Sequence, residues 1–234
     1  MTIEEKVNKA VKIVTETLEP ELNSIILYGS VARGEEVKKK SDINLLIVVG
    51  DTSLKPFKLL WGSIKKLKKL KVNPVIMSEQ YISLSLDSFP LEFLDIATTG
   101  KVLYGKGIEH LTSKITKNAV RTACERELKS KLIALKRIYL HSRGKSKGLN
   151  EVIFSSLAGL RVILLGLHFL KDAERVANVV SLSEDAEIDT ELLNKLEQLR
   201  KGELKLKRTE LISIFEKYID EIEKLTNWLD EYPQ

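Results

Sequence analysis

Two short apolar runs, 24–28 and 43–49, bracket a Gly29-Ser30 turn and a polar stretch that ends in Ser41-Asp42. Runs of five to seven apolar residues closed by Gly and polar residues predict buried strands. Gly29 falls where the first strand must turn sharply into a short helix, and lacking a Cβ it lets the backbone come close to a ligand. The stretch 35–40 brings the chain back to Asp42, at the mouth of the second strand. Side chains two apart on a strand share a face, so Asp42 and Asn44 project together toward the end of the first strand.

The rest of the chain frames this unit. Val7, Ala10, Val11, Val14 and Leu18 have helical spacing over 4–18, closed by Pro20. Phe57, Leu59, Leu60, Ile64, Leu67 and Leu70, with lysines between them, predict one amphipathic helix over 55–70. A third strand follows over 72–77, and Pro74 argues that it lies near an edge or begins late. Pro90 opens a helix through Ile96, and 101–105 reads as a last strand and turn. Beyond residue 112 the periodicity is helical over 114–142, 150–171, about 189–200 and 208–231, with a basic loop at 143–148. The expected fold is therefore a mixed-sheet α/β domain, 1–110, followed by an all-α helical bundle, 111–234.

Composition narrows the function classes. With 43% apolar residues in 234, a sizeable core is available. A net charge of +5 suits a phosphate-bearing ligand but does not demand nucleic acid. Aromatics are 6%, and no basic stripe interleaved with aromatics is present, so nucleic acid is a disfavoured partner. Cys124 stands alone and supports no Cys-based metal site; among Val120, Ala123 and Leu128 it reads as a core thiol. His110, His141 and His168 lack ligand spacing. The apolar stretch 152–170 contains Arg161 and His168 and reads as a bundle helix rather than a membrane span. Met1–Lys6 has neither the basic nor the apolar region of a secretory signal, and a cytoplasmic protein is expected.

The turn carries the chemistry. Ser30 opens a helix whose free N–H groups favour a phosphate, and its hydroxyl adds a donor. Arg33, one turn on, is a candidate phosphate partner; an ion pair with Glu35 or Glu36 is the alternative. Asp42 and Asn44 offer a pair of oxygen ligands of the kind a Mg²⁺-triphosphate site uses. Gly29-Ser30, the spacer and Asp42-Ile43-Asn44 resemble the signature of the nucleotidyltransferase superfamily, to which polymerase beta and kanamycin nucleotidyltransferase belong. The resemblance is carried by 24–49, and by order of elements over 50–80. The helical half resembles bundles often fused to such domains. Phe89–Gly105, with Arg121, Cys124 and Glu125 after it, is similar to bacterial nucleotidyltransferase-like proteins of unassigned substrate.

The resemblance implies Mg²⁺-dependent transfer of a nucleoside monophosphate from a nucleoside triphosphate to a hydroxyl of a small-molecule or protein acceptor. It implies phosphate binding by Gly29, Ser30, Arg33 and Ser41, and metal binding by Asp42 with Asn44 in place of the second acid. Asn73 stands where the third acid is expected. An amide contributes no charge and cannot act as a base. Asp42 is then the first candidate for the catalytic acid or base, with Glu92 or Asp95 as replacements if their segment folds back over the cleft. The alternative is a catalytically impaired nucleotide- or partner-binding module, with the helical half as the surface for self-association or a partner.

Overall fold

A computed structural model of the chain describes residues 1–34, 42–50, 53–171 and 188–232. It divides into two compact units, Met1–Ile115 and Thr116–Gln234. The first is α/β. Helix α1 (Ile3–Leu18) starts from a capping box: the Thr2 hydroxyl accepts from the Glu5 amide and the Glu5 carboxylate accepts from the Thr2 amide. Strands β1 (Leu22–Tyr28), β2 (Ile43–Val49), β3 (Val72–Ser78) and β4 (Lys101–Gly105) form one sheet in the order β3-β2-β1-β4. β1 runs antiparallel to both β2 and β4, and β2 runs parallel to β3. Pro74 indeed lies on an edge strand, where its missing N–H removes no bond from a second neighbour.

The sheet's two faces are set by alternation. Ile25, Leu27, Ile43, Leu45, Ile47 and Val49 join Val7, Ala10, Val14 and Leu18 of α1 in one core. Ile26, Leu46 and Val48 are buried on the opposite face, where α6 (Pro90–Thr99) packs against β1.

The helix expected over 55–70 is two. Helices α3 (Lys55–Leu60) and α4 (Ile64–Lys69) are split at Trp61-Gly62-Ser63, where the Trp61 and Ser63 amides bond three residues back, to Lys58 and Leu60. The break at Gly62, a poor helix former, turns the chain so that Leu60 and Leu67 both reach the α1 core. The other short helices described in this unit are α2 (Ser30–Arg33), between β1 and β2, α5 (Glu79–Leu84), capped by the Ser78 hydroxyl, and α7 (Glu109–Thr112), after β4.

The second unit contains α8 (Lys117–Ser142), α9 (Ser146–Leu170), α10 (Thr190–Lys201) and α11 (Arg208–Glu231). The basic loop is shorter than expected, because α9 already begins at Ser146. Arg143 and Gly144 both adopt left-handed backbone and reverse the chain within two residues. Cys124, Leu128, Leu157, Leu164, Leu196, Phe215, Tyr218 and Ile222 are among the buried side chains. By length and composition α9 could cross a membrane, but most of its apolar stretch is buried inside the protein.

Candidate functional site

The turn after β1 is built as its sequence dictates. Gly29 has φ 77° and ψ −159°, a conformation open only to glycine, and caps α2; Gly34 ends that helix in the left-handed region. A Cβ on Gly29 would stand 2.9 Å from Asn44 Nδ2. Strand register explains the closeness, because Tyr28 pairs directly with Asn44. The row continues, with Asn44 pairing with Asn73 across the parallel β2–β3 ladder. Directly paired residues share a sheet face. Tyr28, Asn44 and Asn73 therefore form a polar row across three strands, beside the Gly29-Ser30 turn. Asn73 Nδ2 donates to Asn44 Oδ1 at 3.5 Å.

Asp42 precedes β2 and is exposed. Ser30 is half-buried at the start of α2. Ser41, with Glu35, Glu36 and Lys38–Lys40, lies outside the described residues. Tyr28 is a member of the row that residue type alone did not single out; its signal was its place next to Gly29. Burial raises its phenol above the usual tyrosine value, so it stands there as a neutral hydroxyl.

Arg33 and Asp95 meet, although 62 residues separate them. Arg33 Nη1 donates to Asp95 Oδ2 at 3.1 Å and Oδ1 at 3.4 Å. The side chains are 12% and 10% exposed. Asp95 Oδ1 also accepts from the Thr99 hydroxyl at 3.2 Å. The pair ties α2 to α6, so the Asp95 carboxylate is already engaged. Glu92, one turn earlier on α6, is exposed.

Among the described residues no group of three or more His, Cys, Asp or Glu is arranged to hold a metal ion. The described donors around the turn are the Asp42 carboxylate, two amides and hydroxyls, with the Asp95 carboxylate already paired with Arg33. That set does not fit a centre holding two divalent ions, which needs several carboxylates to balance the charge.

In the second unit, Arg121 pairs with Glu125 one turn along α8 at 3.5 Å. Cys124 is fully buried, and burial pushes its thiol up to about 12, which leaves it inert.

Residues 7–93 match the family model of the nucleotidyltransferase domain. No curated protein matches the chain. Among solved structures, the chain resembles a spectinomycin adenyltransferase from Enterococcus faecialis, solved with ATP and spectinomycin. The TM-score is 0.59 at 16% identity, covering 97% of this chain and 99% of that one. Weaker likenesses are to a toxin–antitoxin with AMP-PNP (TM-score 0.34, 22% identity, 46% of this chain and 82% of that one). A nucleotidyltransferase-like protein from Exiguobacterium sibiricum 255-15 has TM-score 0.37 at 13% identity, over 95% and 74% of the two chains.

Proposed function

From the premise that residues 7–93 form a nucleotidyltransferase domain, we propose that the chain binds a nucleoside triphosphate at the Gly29-Ser30 turn and that nucleotidyl transfer there is strongly attenuated. The observation that carries this reading is the hydrogen-bonded Asn44–Asn73 pair, which stands where the family's chemistry calls for carboxylates. Two missing negative charges weaken the hold on cations, and two amides cannot accept a proton from an acceptor hydroxyl. Asp95 does not readily replace them, because it is buried against Arg33. Calorimetry with ATP tests the binding. Incubation with α-labelled nucleotide and Mg²⁺ or Mn²⁺ tests the attenuation. Binding with little or no label transfer is the expected result; turnover at rates typical of transferases would sink the reading.

A second reading, slow transfer to a small-molecule or protein hydroxyl, is favoured by the exposed Asp42 carboxylate at the mouth of β2. The likeness to an adenyltransferase solved with ATP and spectinomycin supports ATP and a small-molecule acceptor for it. Label transfer that Asp42→Ala abolishes would favour this second reading over the first.

A further inference from the structure

We infer that the Asn44–Asn73 pair lets this cleft bind a nucleotide's phosphates without a divalent cation, the amide N–H groups taking the oxygens that a cation would otherwise hold. The inference rests on the reading of the cleft as a nucleotide site and goes beyond it in naming what replaces the ion. It starts from charge. Carboxylates facing a triphosphate repel it unless cations stand between them. Amides remove the repulsion and supply donors of their own. Of the described carboxylates near this cleft, that of Asp42 is exposed to solvent, which screens it, and that of Asp95 is paired with Arg33.

The orientation of the pair gives the donors a direction. The bond from Asn73 Nδ2 uses the Asn44 oxygen. With Asn73 as the donor, the Asn44 oxygen faces Asn73 and its Nδ2 faces away from it. Asn44 Nδ2 is then left on the side of the Gly29 turn, 2.9 Å from where a Cβ would be. Glycine at that position keeps the space in front of the donor open. Asn44 is half-buried and Asn73 exposed, so the N–H groups not used between them are within reach of a ligand. A neutral donor pair at the edge of a turn suits an oxyanion and offers a cation only uncharged carbonyl oxygens, that of Asn44 already engaged by Asn73.

The experiment is ATP binding to the whole chain by calorimetry, in Mg²⁺ and in EDTA, for the wild type and for Asn44→Asp/Asn73→Asp. Wild-type affinity in EDTA should stay within about threefold of that in Mg²⁺, as donors rather than a metal hold the phosphates. The double variant should lose more than about tenfold in EDTA and recover with Mg²⁺, because close carboxylates repel uncompensated phosphate. The single variant Asn73→Asp, at an exposed position, should shift the same way if the double variant folds poorly. Wild-type binding that needs Mg²⁺ overturns the inference while leaving the nucleotide reading intact. So does a carboxylate variant that binds as well in EDTA as in Mg²⁺. Absence of ATP binding in both conditions defeats the nucleotide reading itself, and the inference with it.

Discussion

Breaking the Arg33–Asp95 pair should cost the first unit a measurable part of its stability, and the cost should come from the pair rather than from either side chain alone. At 3.1 Å, two unit charges attract by about 5 kcal/mol at an effective dielectric of about 20. Desolvation offsets much of that when the pair forms. Removing one partner forfeits the attraction and keeps the desolvation of the charge left behind, a loss of about 3–5 kcal/mol for a buried pair. With exposures of 12% and 10%, the low end applies. Arg33→Met leaves Asp95 with the Thr99 hydroxyl as its remaining side-chain donor, so about 3 kcal/mol is expected. Asp95→Asn should cost less, about 1–2 kcal/mol, since the amide still bonds and Arg33 has a further interaction. The double variant should be no worse than Arg33→Met, giving a coupling of about 1–2 kcal/mol. Native-state hydrogen exchange of the β1 and α6 amides reads this unit alone, whatever the helical unit does. Additive single effects, with coupling below about 0.5 kcal/mol, would refute the claim that the pair ties α2 to α6.

Gly29→Ala should destabilise the first unit by about 1–3 kcal/mol through backbone strain at φ 77°. It should also weaken ATP binding, because the new methyl displaces the Asn44 amide; thermal melting and calorimetry separate the two effects. In the helical unit, burial lowers the Lys131 ammonium to about 8, below the ordinary lysine value of 10.5. The unfolded chain then holds more protons than the native one between those pH values. Stability should rise with pH across the window, by at most about 3 kcal/mol, and fall back as pH drops toward 8. Urea unfolding of wild type against Lys131→Met isolates the effect, since the difference cancels tyrosine ionisation near the top of the window. Tyr218→Phe removes the 2.7 Å hydroxyl bond to Ser156 inside the bundle and should cost about 1 kcal/mol in the same assay. Cys124, buried and with its thiol raised to about 12, should react with maleimide only at the rate the helical unit opens.

The sequence and the structure part company at places with a common physical cause. The β1–turn–β2 unit was legible because its signals are local: apolar runs of strand length and a glycine where only glycine fits. Pro74 narrowed β3 to an edge strand or one that begins late, because a missing N–H has few places in a ladder, and the strand order decides for the edge. The split of 55–70 was not, since the apolar spacing continues through Trp61-Gly62-Ser63 and only the demand that Leu60 and Leu67 both reach α1 decides the break. The Arg33–Asp95 pair was equally hidden, each residue having nearer charges in sequence than the partner it meets in space. Register decided the site itself. Asn44 and Asn73 are 29 apart in the chain, and the resemblance singles out each by itself without showing that they meet. Their direct pairing across the parallel ladder turns two unrelated substitutions into one neutral donor pair. A single amide would have left a weakened cation site, because the remaining acid could still recruit an ion. On the inference drawn above, two amides bonded to each other favour phosphate oxygens over a cation. The attenuated transfer proposed for this chain and the metal-free phosphate binding inferred for it both rest on charge at these two paired strand positions, and the aspartate variants act directly on that charge.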